Sequence, residues 1–88
     1  MNTIPKPAFL RHIKKITDPK LRVATDIAIL SVIQAKSIKE IPNLKKMKGY
    51  KIHFRIRVGS YRIGVKIEND TVTFMAFGHR KHVYKEFP

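Results

Sequence analysis

Between Tyr50 and Ile67 the chain alternates apolar and mostly basic residues on both sides of a Gly-Ser pair, a pattern that fits a β-hairpin and little else. Tyr50, Ile52, Phe54, Ile56 and Val58 alternate with Lys51, His53, Arg55 and Arg57, the period of a half-buried strand. Gly59-Ser60 suits a two-residue turn with glycine at its first central position. On the return, Tyr61, Ile63, Val65 and Ile67 alternate with Arg62, Gly64, Lys66 and Glu68. A two-residue loop then sets Ile56 against Ile63, Phe54 against Val65 and Ile52 against Ile67. On the other face it sets Arg57 against Arg62 and His53 against Lys66. Like charges directly across a ladder repel, so that face needs an anion to make sense of it.

The charge of the whole chain points the same way. Its 88 residues include 19 Lys or Arg and only 6 Asp or Glu, a net charge of +13. No acidic residue lies between Glu40 and Glu68, while eight Lys or Arg do. Such a field draws in nucleic acid. An anionic membrane competes as a target, but the basic residues are interleaved with strand-core residues instead of lying along an amphipathic helix. Nucleic acid is therefore the expected polyanion, and no membrane is expected. The length supplies one small domain, 1–88, with a lean core. With no cysteine there is no disulfide framework and no thiolate metal site, as in a reducing, cytoplasmic setting. Met1 to Lys15 lacks the continuous apolar run of a secretory leader, and Ile27 to Ile33 is too short to span a bilayer.

Elsewhere the pattern is helical or irregular. Thr3-Ile4 reads as a short edge strand limited by Pro5 and Pro7. Ala8 to Ile16 reads as a helix with Phe9, Ile13 and Ile16 on one side. Asp18 suits an N-cap and Pro19 the first position of a second helix running to about Ala35. Its predicted buried stripe is Leu21, Ala24, Ile27, Ala28 and Ser31, widened by Val23, Leu30 and Ile33. Ser37 to Gly49 reads as a connector. Asn69-Asp70 is a second two-residue turn, leading into a strand from Thr71 to Phe77. Strict alternation puts Val72, Phe74 and Ala76 on the core face, and Thr73, Met75 and Phe77 on the basic face. The expected fold is α+β: an N-terminal helical hairpin packed on one face of a small antiparallel sheet, the other face open and cationic.

Three blocks carry a family resemblance: Leu44-Lys45-Lys46-Met47-Lys48-Gly49, Arg55-Ile56-Arg57-Val58-Gly59-Ser60-Tyr61-Arg62-Ile63 and Gly78-His79-Arg80-Lys81-His82-Val83-Tyr84. In that order, behind a helix pair, they resemble the toxins of the RelE/ParE superfamily of type II toxin–antitoxin pairs, on the RelE-like side, across nearly the whole chain. The resemblance implies a toxin that cuts mRNA in the A site of the 30S ribosomal subunit, and a cognate antitoxin that neutralises its basic surface. It carries catalytic roles to Arg62, Arg80 and Tyr84. Of a Lys pair on the first hairpin strand, Lys51 matches and His53 stands at the second position. A ParE-like inhibitor of DNA gyrase without nuclease activity is the alternative, and a silent RNA- or antitoxin-binding module the third reading.

RNA cleaves itself when its 2′-hydroxyl is deprotonated and attacks the adjacent phosphorus. A protein must orient that attack, balance charge on the transition state and protonate the leaving 5′-oxygen. Arg62, with Arg57 opposite, is the first candidate to grip the scissile phosphate, and Arg80 is the second, because a guanidinium fork fits phosphate. Tyr84 is a candidate acid, base or stacking group. His53, flanked by Lys51 and Lys66, is a candidate base, since neighbouring ammonium groups disfavour imidazolium. His79 and His82 are further candidate shuttles. Lys45, Lys46, Lys48, Arg55, Arg57, Lys66, His79 and Lys81 are expected to bind the RNA, and Phe77 to stack on an unpaired base. Four histidines without cysteine and with few nearby carboxylates make a poor ligand set, so neither metal nor cofactor is expected.

Overall fold

The computed structural model describes all 88 residues. Strand β1 (Asn2–Pro5) leads into helix α1 (Pro7–Lys14), and helix α2 spans Pro19–Gln34. A single 3₁₀ turn at Ile38–Glu40 precedes β2 (Leu44–Lys46), β3 (His53–Val58), β4 (Tyr61–Glu68) and β5 (Thr71–His79). A last 3₁₀ turn, Val83–Lys85, lies near the C-terminus. The five strands form one sheet in the order β1-β5-β4-β3-β2, antiparallel except for the β1–β5 pair. The architecture is α+β.

Local chemistry accounts for most boundaries. Proline stands at the start of both helices, where a missing N–H costs nothing. The Asp18 side chain accepts a hydrogen bond from the Lys20 amide at 3.0 Å, closing the first turn of α2. Pro5 is tolerated because β1 is an edge strand. The other edge, β2, is only three residues long and carries Lys45 and Lys46, which discourages pairing with other chains. It lies in the segment read from sequence as a connector. Both hairpin turns form as expected. Val58 pairs with Tyr61 around Gly59, whose φ is +60°, and Glu68 pairs with Thr71 around Asn69 and Asp70, both at positive φ.

The strict alternation expected for β5 fails halfway along. From the turn inward, Ile67 faces Val72, Lys66 faces Thr73 and Val65 faces Phe74, but Gly64 then faces Ala76 and Ile63 faces Phe77. Met75 is the extra residue of a β-bulge, which reverses the side-chain parity beyond it. Ala76 therefore leaves the core face and Phe77 enters it. Phe77 is 6% exposed among the main core residues, its ring stacked on Tyr61 at 5.3 Å. The expectation that Phe77 lies on the basic face as a base-stacking platform is thus corrected.

The main core joins Phe9 and Ile13 of α1 and Val32 of α2 to Ile56, Val58, Ile63, Val65, Ile67, Val72, Phe74 and Phe77 of the sheet. Phe9 stacks on Phe74 with ring centres 4.9 Å apart. The stripe expected for α2 needs a second correction. Thr25 and Val32 are its buried residues, whereas Ile27 is 60% and Val23 58% exposed, and Leu30 and Ile33 also face outward. A helix apolar around most of its circumference does not specify its buried side by periodicity. The sheet beneath α2 covers one side and nothing in the chain covers the other. No helix is long and apolar enough to cross a membrane.

Candidate functional site

The sheet face opposite the main core gathers the cations in rows. Lys45 pairs with Arg55 and Arg55 with Gly64 across β2, β3 and β4. The next row on that face holds Arg57, Arg62 and Gly78. Arg62 is half-buried, and its Nη1 donates to the carbonyls of Gly59 and Tyr61, both at 2.9 Å. Those two bonds fix the guanidinium against the turn and leave Nε and Nη2 for an anion. Arg80 follows β5, and its amide donates to the Ser60 carbonyl at 2.8 Å, so the chain end is tied to the same turn.

These residues enclose an open cavity of about 480 Å³ lined by Lys45, Lys46, Met47, Lys48, Arg55, Arg62, Arg80 and Tyr84. Six of the eight carry fixed positive charge and none is acidic. The chain's one ion pair, Arg22 with Asp26 at 3.4 Å, lies on the surface of α2. Cations packed without carboxylates repel one another, and a bound anion relieves the repulsion. Guanidinium forks beside ammonium groups suit phosphate oxygens. The phenol of Tyr84, a residue 42% exposed, is the site's one hydroxyl.

The remaining candidates fall elsewhere. Lys51 lines a neighbouring cavity of about 380 Å³ that shares Lys46, Met47 and Lys48 with the first, so it extends the same surface. His53 does not line the cationic cavity; its ring lies between Tyr50 at 5.1 Å and Phe87 at 5.6 Å. Lys66 lies opposite His53, in the row that ends at Thr73. Arg57 faces Arg62 across the ladder, as expected, but is exposed and borders a groove beside α2. Lys81 is exposed beyond Arg80.

His79 pairs with Tyr61, on the row of the core face, because the bulge shifts it together with Phe77. Its Nδ1 accepts from the Lys81 amide at 3.1 Å, which assigns the proton of the neutral ring to Nε2. Desolvation against its neighbours, followed by the charges of His82, Lys81, Arg80 and Arg62, lowers its pKa below the ordinary 6.5. Near neutral pH His79 is an uncharged hydrogen-bond donor. No three metal-ligating side chains converge anywhere in the chain.

Two features of the site were not singled out from the sequence. Met47 lines the cavity inside the Lys45–Lys48 block. Gly64 carries no strained φ, yet a side chain there would collide with Phe87. The available signal was a glycine at a position where alternation calls for a side chain, which marks a close approach.

No family model matches the sequence. A curated relative, toxin RelE3 of Methanocaldococcus jannaschii, is 33% identical over 89 aligned positions that span the full length of both chains. The chain belongs to the RelE family of toxins. A chain from the crystallised RelB–RelE antitoxin–toxin complex of Methanococcus jannaschii superposes with a TM-score of 0.78 at 31% identity, covering 97% of this chain and 99% of that one. A chain of the intact Escherichia coli RelBE toxin–antitoxin complex gives 0.68 at 17% identity, over 89% of this chain and 94% of that one. At that identity the likeness speaks for the RelE fold alone.

Proposed function

We propose that this RelE-family chain acts as one domain over residues 1–88 and is a ribosome-dependent endoribonuclease, the toxin of a pair whose antitoxin covers its cationic face. The observation that carries the reading is the cavity of six cations around Tyr84, with no carboxylate in its lining. A site so charged has little use for a neutral ligand and a strong one for the phosphates of single-stranded RNA. The same reading takes the two helices as an antiparallel hairpin backing the sheet, which leaves the cationic face to mRNA in the 30S A site. The cytoplasm is where such a substrate is met.

In the proposed reaction the 2′-oxygen loses its proton and attacks the adjacent phosphorus, the bond from phosphorus to the 5′-oxygen breaks, and that oxygen gains a proton. Arg62, held by two backbone carbonyls, and Arg80 bind the non-bridging oxygens where charge accumulates; preorganisation of this kind spares reorganisation during the reaction. Tyr84 supplies or takes a proton at the scissile bond. Lys51 or His53 assists from the flank, and Lys45, Lys46, Lys48 and Arg55 hold neighbouring phosphates. No step draws on a metal or cofactor.

The test is mRNA cleavage on translating ribosomes, run beside a gyrase supercoiling assay. Wild type should cleave, while Arg62→Ala and Arg80→Ala should each lose about 10²–10³-fold in single-turnover rate, with cooperative melting retained. Binding to single-stranded RNA should weaken with salt at a log–log slope of about −4 if all six lining cations meet phosphates, at roughly 0.7 per contact. Supercoiling inhibition without cleavage would replace this reading with the gyrase alternative.

A further inference from the structure

Beyond the cavity's own lining, the C-terminal turn is seated on the cationic face by one buried ring. Phe87 is 3% exposed, although Tyr84, Lys85, Glu86 and Pro88 around it are exposed. The ring rests on Gly64, where a Cβ would approach Phe87 Cδ2 to 2.5 Å. Gly64 has no positive φ to explain it, so its lack of a side chain provides space. The bulge turns Ala76, another small residue, toward the same place, and Ala76, Val83 and Phe87 form a buried cluster separate from the main core. The Phe87 amide also donates to the Val83 carbonyl at 3.0 Å, closing the turn that contains Tyr84.

From this packing we infer that Phe87 is the positioning residue for the proposed site: its ring, socketed on Gly64, holds the segment from Arg80 to Tyr84 over the cavity. The segment is then fixed at both ends, by the Arg80–Ser60 backbone bond and by the ring. Phe87 itself does not line the cavity. The inference rests on the reading of Arg80 and Tyr84 as site residues, and a misplacement of about 1 Å in such groups is enough to cost about 100-fold in rate.

Phe87→Ala removes the ring, and Gly64→Ala evicts it while leaving it in the chain. Each should lower single-turnover cleavage on programmed ribosomes by about 100-fold, with ribosome affinity changed by less than about two-fold. The double variant should be no slower than the slower single, and Phe87→Leu should restore most of the rate. In the free protein, amide ¹⁵N relaxation should report new mobility at residues 80–86 in both single variants and none in β3 to β5. Phe87 lies outside the main core, so cooperative melting should persist; if Phe87→Ala does not fold, Gly64→Ala and Phe87→Leu decide. Unchanged relaxation at residues 80–86, or multiplicative losses in the double variant, would overturn the inference. A wild-type protein that never cleaves RNA would defeat the proposed function instead, and the relaxation measurement would still decide whether Phe87 holds the tail.

Discussion

The two halves of the β4–β5 ladder obey different rules. Next to the Asn69-Asp70 turn, each residue lies where two-residue alternation puts it, and Lys66 and Thr73 share the open face. Beyond Val65 one additional residue, Met75, reverses the order, so that Phe77 is buried and Ala76 and Gly78 lie on the cationic side. The regular half builds the core from sequence periodicity alone. The bulged half clears bulk from the centre of the open face, and Phe87 of the tail occupies the cleared space. A bulge is a common way to re-aim side chains, and here it turns Phe77 into the core while Ala76 and Gly78 stay on the cationic side.

The most severe way to break this difference is Phe77→Ala set against Thr73→Ala, read by urea unfolding. Alternation without the bulge would make these positions equivalent; with it, the first should cost about 3–5 kcal/mol and the second less than about 0.5 kcal/mol.

The turns at the two ends give a smaller contrast. Gly59→Ala places a side chain at φ +60° and should cost about 1–2 kcal/mol. Asn69→Gly, at a position already tolerant of positive φ, should change stability by only a few tenths of a kcal/mol.

The smallest effect is expected from His79 at the distal end. Its folded pKa is below the ordinary 6.5. Between the two values the unfolded chain binds the proton that the folded chain resists, so stability rises with pH across that window and levels off above it. The melting temperature followed from about pH 5 to pH 7 should show that rise, and His79→Gln should flatten it. An unaltered profile would remove His79 as its source.

Much of the fold could be read from residue types because local chemistry imposes it. Asp18-Pro19 dictates a helix start, Gly59-Ser60 and Asn69-Asp70 dictate turns, and the alternation from Phe54 to Ile67 dictates one register, in which Arg57 meets Arg62. Residue type and motif already mark Lys45, Lys46, Lys48, Arg55, Arg62, Arg80 and Tyr84, and one cavity unites them. What escaped was non-local. The parallel β1–β5 pair and the short β2 have no hairpin turn to announce them. Ile27 and Val23 read as interior but face outward, because an apolar helix does not record which side a sheet will cover.

Sequence alone determined the charge, the turns, the Asp18 cap of α2 and the two-faced hairpin, since each depends on neighbours a few residues apart. Only the tertiary structure decided which cations converge, that His53 and His79 do not line the cavity they form, and that Phe77 and Phe87 are buried on opposite faces of the sheet. The physical reason is that period-two alternation carries no record of an inserted residue: the bulge forms because packing Phe77 beneath the sheet and Phe87 above it satisfies contacts between segments far apart in the chain.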